Sequence, residues 1–368
     1  MTDPRVDRHA QILVEYSANV QPGDTVAFNT TTLAAPLIEA LFEHVLRRGG
    51  HPTAFTMLPR LEEIFLRTAT EEQLRRPPFF LEVGVPYFDH IIVIQAPENT
   101  RNAGSTDPKR QAIMAAGRRE LMGKYMEKMM RSEKSVTVAL HPTPALAQDA
   151  QMSLLDYEDF VYKGCLLDQP DPLDSWRRLA ETQERAKAWL ESKSTITIQG
   201  PTVDLRLQVK DRGWISDDGH KNFPGGEIFT SPIEDGVDGH IRFTYPATLQ
   251  GREAKDVQLW FEGGKVVRSE ASAGQEFLEQ MLDIDEGARR LGEFAIGTNY
   301  GVQRFTGNVL FDEKIGGTCH LAVGRGFANL GSKNESAIHW DMVCDLKQAS
   351  TISADGQVFY RDGQFTLP

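Results

Sequence analysis

The hydrophobic period of this chain changes once, at the Pro/Asp-rich stretch Cys165-Leu-Leu-Asp-Gln-Pro-Asp-Pro-Leu-Asp174. Before it, short apolar runs alternate with amphipathic helical patterns. After it, short alternating strands follow one another with Gly-rich turns between them. Strands buried on both faces need continuous apolar runs joined by helical crossovers, whereas a sheet with one covered face needs a period of two. The chain therefore predicts two domains of different class, with the boundary near residue 170.

In the first part, Val6, Ala10, Leu13 and Val14 recur at helical spacing and stop at Gln21-Pro-Gly-Asp24, a turn signal. Residues 25–28 read as a strand. A second helix is expected to carry Leu37, Ile38, Leu41, Phe42, Val45 and Leu46 on one side, ended by Gly49-Gly50 and followed by a strand over 53–56. Residues 91–94 and 136–139 are further buried-strand candidates, separated by helix-compatible sequence. This alternation predicts a mostly parallel α/β sheet over residues 1–170. Beyond it, a helix carries Trp176, Leu179, Ala186, Trp189 and Leu190. Strands are then expected over 195–198, 203–207, 240–245 and 257–261, with one helix from about Gln275 to Leu291. Residues 171–368 thus read as a β-rich (α+β) domain.

Composition bounds the function. The 368 residues are 40% hydrophobic and 25% charged, enough for two cores. No run approaches the ~20 apolar residues of a membrane helix, and the N-terminus lacks a signal-peptide layout, so a cytoplasmic protein without a membrane partner is expected. A net charge of −12 argues against a nucleic-acid partner, because such proteins rely on clustered Lys and Arg. Cys165, Cys319 and Cys344 are an odd number without CxxC spacing, which predicts reduced thiols.

The candidate chemistry lies in the second part. His339-Trp-Asp341 places an imidazole and a carboxylate on one face if the segment is a strand. Glu227 follows Gly225-Gly226, Glu293 lies in Ala288-Arg-Arg-Leu-Gly-Glu293-Phe-Ala-Ile-Gly297, and His320 stands in Gly317-Thr-Cys-His-Leu-Ala-Val-Gly324. A carboxylate amid apolar residues is partly buried, and a buried charge must be paired or metal-bound. Two Glu, two His and one Asp suit divalent zinc, cobalt or manganese better than calcium. Singly, each residue has a plain structural explanation: Glu227 as a turn residue, His320 as a hydrogen-bonded core histidine, His339 and Asp341 as surface alternation. Arg289-Arg290 reads equally as a carboxylate clamp or a solvated helix face, and His141, His220 and His240 have no partner motif.

Five motifs in order carry a resemblance. Gly225-Gly-Glu-Ile-Phe-Thr-Ser-Pro232, Gly287-Ala-Arg-Arg-Leu-Gly-Glu293, Phe311-Asp-Glu-Lys314, Cys319-His-Leu-Ala-Val-Gly324 and Asn334-Glu-Ser-Ala-Ile-His-Trp-Asp341 resemble those of the aminopeptidase T family of metallo-aminopeptidases. Val20-Gln-Pro-Gly-Asp-Thr-Val26 resembles its opening helix-turn-strand, so the likeness spans essentially the whole chain. It implies that two divalent ions are held by Glu227, Glu293, His320, His339 and Asp341. It also implies peptide substrates and a homodimer formed through the C-terminal domains. Glu293 and Glu227 are the candidate catalytic and bridging carboxylates, with the general base left open. Such a centre activates water and polarises the scissile carbonyl. One departure is Phe327, where the family has a tyrosine at the metal centre; the segment between His320 and His339 is also shorter. Two rival readings remain: a mononuclear non-haem iron ring-cleaving dioxygenase on a similar fold, and a non-catalytic metal- or peptide-binding relative.

Overall fold

The computed structural model describes residues 3–101, 107, 109–118, 121, 134–249 and 251–366. They form two compact units, Met1–Asp174 with Gly219–Pro224, and Ser175–Asp218 with Gly225–Pro368. The change of unit falls inside the helix Pro172–Leu190, and the short return of residues 219–224 to the first unit carries no signal in the hydrophobic pattern.

The first unit is built on four parallel strands in the order His51–Met57, Thr25–Thr31, His90–Gln95, Ser135–Leu140. The helix Pro4–Ile12 starts on Asp3, whose carboxylate accepts from the Arg5 backbone N–H, and Pro4 occupies the first turn, where no backbone donor is needed. The helix Ala35–Arg47 buries Leu37, Ile38, Leu41 and Val45 but leaves Phe42 39% and Leu46 55% exposed. The expected six-residue face is thus four residues wide, because positions 42 and 46 lie one step, about 100°, round the helix from 41 and 45. Between the third and fourth strands residues 109–118 are helical, and most of the remaining crossover lies outside the described residues.

The second unit holds two large sheets and a two-stranded one, Ala247–Leu249 with Arg252–Ala254. One has eight strands in the order Lys265–Glu270, Gln258–Glu262, Val237–Arg242, Val203–Gln208, Thr195–Gly200, Thr351–Ala354, Gln357–Arg361, Gln364–Phe365. The other has five: His339–Asp345, Thr318–Gly324, Leu291–Gly297, Glu227–Thr230, Ile215–Asp217. A single apolar core joins Ile196, Leu205, Ile241 and Leu259 of the first sheet to Phe294, Ile296, Leu321 and Trp340 of the second. Burial on that scale, at about 25 cal/mol per Å² of apolar surface, fixes both sheets. All three cysteines are buried.

Two expected elements differ. The strand expected over 240–245 runs Val237–Arg242. The helix expected to Leu291 spans Gln275–Leu282, and Leu291 instead opens a strand. The reason is Asp285, whose carboxylate accepts from the Gly287 N–H at 3.0 Å, the Ser336 hydroxyl at 2.8 Å and the Ala337 N–H at 2.6 Å. An aspartate that binds nearby backbone donors competes with helix continuation. Arg289 and Arg290 therefore sit on a turn; Arg289 pairs with Glu279 and Asp283, each at 2.8 Å, and Arg290 donates to the Glu234 carbonyl.

Candidate metal centre

Strand register puts the ligand-type side chains on one face of the five-stranded sheet. Ala322 is paired with Glu293 on one side and Asp341 on the other, His320 with Ala295 and Val343, Gly297 with Glu227, and Gly324 with His339. Directly paired residues share a face, and so do residues two apart on a strand. The face thus carries Glu227, Glu293, His320, His339 and Asp341 around Ala295, Gly297, Ala322 and Gly324. The opposite face supplies Ile228, Phe294, Ile296, Leu321, Trp340 and Met342 to the core.

Glu293 joins this face through an irregularity. Leu291 pairs with Val323 and packs into the core, yet Glu293, two residues on, pairs with Ala322 on the other face, because the register shifts between them. A bulge of this kind re-aims a side chain. Its extra residue is Gly292, where an added Cβ would stand 2.2 Å from the Arg325 carbonyl oxygen.

The distances are short. His320 Nε2 lies 3.2 Å from Glu227 Oε2 and 3.7 Å from Glu293 Oε1; His339 Nε2 lies 3.0 Å from Glu293 Oε2 and 3.4 Å from Asp341 Oδ1. Three groups could each hold an ion: Glu227, Glu293 and His320; Glu293, His339 and Asp341; Glu313, His320 and Asp341. Among the described residues, Glu293, His320 and Asp341 each belong to two of them.

The surroundings fit a cation. Glu227 Oε2, both ring nitrogens of His320 and Asp341 Oδ1 are buried and make no well-aligned hydrogen bond, their close approaches, His320 Nε2 to Glu227 Oε2 at 3.2 Å and His339 Nε2 to Asp341 Oδ1 at 3.4 Å, being charge contacts. A buried polar atom left unmatched costs roughly 1–3 kcal/mol, so four in one cluster point to a missing partner of positive charge. The Nδ1–H of His339 donates to the Arg325 carbonyl at 2.7 Å, which turns Nε2 toward the centre. Gln183, fully buried, donates to the Glu227 carbonyl at 3.2 Å, the Asp217 carbonyl at 3.1 Å and the Thr298 hydroxyl at 2.9 Å, fixing the strand end that carries Glu227.

Two neighbours carry more weight than their sequence motif announced. Lys314, 1% exposed, places its ammonium 2.5 Å from Glu227 Oε1, 3.1 Å from Glu313 Oε2 and 3.4 Å from Asp217 Oδ2. Burial works against that charge, but Glu227, Glu313 and Asp217 outweigh it and hold Lys314 well above the usual lysine range. Burial and the nearby Asp341 push the Glu313 carboxyl well above the carboxylate range. At His339 burial is outweighed by Asp341 and Glu293, which push the imidazole up to about 11. The signal in the sequence was the charged run Asp312-Glu313-Lys314 of the motif Phe311-Asp-Glu-Lys314, flanked by apolar residues; it named no role for Glu313 or Lys314. Phe327 lies at the edge of this group, its ring 5.4 Å from that of His339 and 5.2 Å from that of Phe229.

Comparison with known proteins adds a family and a fold. The profile of the thermophilic metalloprotease (M29) family matches residues 2–365. Aminopeptidase 2 of Geobacillus stearothermophilus is 29% identical over 352 residues, 88% of this chain and 84% of that protein. Aminopeptidase T of Thermus thermophilus is 24% identical, over 98% of this chain and 96% of that protein. Among solved structures, wild-type AmpT from Thermus thermophilus superposes with a TM-score of 0.86 at 21% identity, covering 99% of both chains. A 2,5-dihydroxypyridine dioxygenase from Pseudomonas putida shares the fold more distantly, with a TM-score of 0.60 at 12% identity over 99% of this chain and 96% of that one.

Proposed function

The chain belongs to the M29 family of metalloproteases and is a metallo-aminopeptidase, and we propose that Glu227, Glu293, His320, His339 and Asp341 hold its divalent ions. The observation that carries this assignment is the sheet face on which these five side chains surround small residues, with four of their buried polar atoms lacking a well-aligned hydrogen bond. The donor set, two imidazoles and three carboxylates, suits zinc, cobalt or manganese, and Glu293 lies within 3.7 Å of His320 and 3.0 Å of His339.

When bound, such ions supply an activated water and polarise the scissile carbonyl. The chain's own groups do the rest. Glu313, grouped with His320 and Asp341, is our candidate for the proton carrier: it is positioned to take a proton from the attacking water and return it to the leaving amine. Lys314 holds Glu313 and one oxygen of Glu227, so that the second oxygen of Glu227 faces His320. Its charge also offsets the acid excess of the centre. We assign Glu227 and Glu293, both expected as catalytic carboxylates, to ligand positions, since each lies against an imidazole. We further propose a homodimer and a cytoplasmic site of action. No described helix is long and apolar enough to cross a membrane.

The test is chelation. Exhaustive treatment with EDTA is expected to abolish hydrolysis of aminoacyl p-nitroanilides, and added zinc, cobalt or manganese to restore it. Turnover that survives complete removal of metal would overturn the assignment.

A further inference from the structure

Asn299 is fully buried just beyond the strand Leu291–Gly297, and every polar group of its backbone and side chain is engaged. Its N–H donates to the Lys314 carbonyl at 3.0 Å and its carbonyl accepts from the Gly316 N–H at 2.9 Å, so the turn that presents Glu313 and Lys314 is tied to this one backbone position. The side chain serves a second segment. Its Nδ2 donates to the Gly225 carbonyl at 3.1 Å, in the loop that leads into Glu227, while Oδ1 accepts from the Gly301 N–H at 2.9 Å. The two ends of the amide cannot be exchanged, since a flipped group would set acceptor against carbonyl and donor against N–H. The approach is also close. Gly226 has a φ of +129°, and a Cβ there would stand 2.4 Å from the Asn299 Cβ. Only glycine lets the loop lie this near. The Gly226 N–H donates to the Asp217 carbonyl at 2.6 Å and its carbonyl accepts from the Thr298 N–H at 2.7 Å, which holds the loop against Asn299.

Resting on the ligand assignment above, we infer that Asn299 is a positioning residue of the centre: it sets the separation between Glu227 and the Glu313–Lys314 turn, and through it the affinity of the ion held by Glu227, Glu293 and His320. It acts through Glu227, not on the ion. The Lys314 ammonium spans Glu227 Oε1 at 2.5 Å and Glu313 Oε2 at 3.1 Å. Contacts that short are lost if the two segments move apart, and Asn299 bonds to both. The group Glu293, His339 and Asp341 takes no residue from either segment, so its ion is expected to be indifferent.

The experiment is equilibrium dialysis of Co(II), the metal alone, against wild type, Asn299→Asp and Asn299→Ala, with Ile241→Val as a variant of the apolar core. Asn299→Asp keeps the size and the Gly301 contact but sets an oxygen against the Gly225 carbonyl; Asn299→Ala removes both bonds. Each is expected to weaken one of the bound ions by about 10–100-fold, the usual scale for a group that supports a ligand, and to leave the other within about twofold. Ile241→Val is expected to weaken neither. A second measurement needs no variant. Coupling between sites is reciprocal, so Co(II) loading of wild type is expected to slow hydrogen exchange at the Gly301 and Gly316 N–H groups, which bond to Asn299, by about 5–150-fold. Equal retention of both ions in the Asn299 variants, equal weakening of both, or exchange at Gly301 and Gly316 that ignores Co(II) would overturn the inference and leave the ligand assignment standing. Wild type that retains no Co(II) would sink that assignment, and the positioning role with it.

Discussion

Leu291 and Glu293 are two residues apart on one strand and face opposite sides of the sheet, the leucine in the core and the glutamate at the metal face. In a regular strand they would share a side. The bulge at Gly292 is thus what delivers the Glu293 carboxylate to this face, and it leaves no trace in the alternation of the sequence.

Gly292→Ala tests that device. The new Cβ would meet the Arg325 carbonyl, which also receives the His339 Nδ1–H, so the strain passes directly to a ligand imidazole. We expect a stability loss of about 1–3 kcal/mol and at least a tenfold weaker retention of metal, measured by urea unfolding and by equilibrium dialysis. Unchanged dialysis would show that the bulge is not needed to aim Glu293.

Lys314→Met removes the one ammonium among Asp217, Glu227 and Glu313. Breaking a buried ion pair typically costs 3–5 kcal/mol, roughly, because the partner charges stay buried. Divalent ions supply positive charge to the same carboxylates. The fall in Tm is therefore expected to be larger in metal-free than in metal-loaded protein, and equal falls would contradict the charge-balancing role.

Acid sensitivity is expected from the first unit. Burial holds His9 down to about 3, with His141 adding to it, and burial holds His141 down to about 4. Both lie below the ordinary histidine value of 6.5, so the unfolded chain binds more protons between pH 6.5 and 4. Their contribution to stability is complete above pH 6.5 and is lost as pH falls through that window, by on the order of 2 kcal/mol per histidine between pH 6.5 and 5. In urea unfolding at pH 7 and pH 5, His9→Phe should shrink the difference between the two pH values. No change in that difference would refute the assignment.

Phe327 sits 5.4 Å from the His339 ring, half-buried, where a phenol would point toward the centre or out to water. A single oxyanion donor contributes on the order of 10²–10³ in rate in other hydrolases. Phe327→Tyr is expected to raise kcat on aminoacyl substrates with metal content intact. Equal kcat and equal Tm would mean that the position does not face the reaction.

The change in period at the Pro/Asp-rich stretch was legible in the sequence because it reflects burial, which residue type reports directly. The strands at 25–31, 90–95 and 135–140 and the five ligand-type residues were legible for the same reason: apolar runs, or polar residues set among apolar ones. What escaped were features decided by contacts far along the chain. Asp285 stops a helix by reaching residues 336 and 337, residues 219–224 rejoin the first unit, and Gln183 braces Glu227 from 44 residues away. Lys314 and Glu313 were visible as a motif, but their role follows from strands that meet only in the fold.

The central claim, that one sheet face of this chain holds its divalent ions, is tested most directly by elemental analysis of metal per chain in wild type and in His320→Ala and His339→Ala. Up to two zinc, cobalt or manganese ions are expected in wild type, with at least one lost in each variant, since water fills the place of a neutral nitrogen ligand poorly. Full wild-type metal content in both variants, or a single iron and nothing else in wild type, would contradict it.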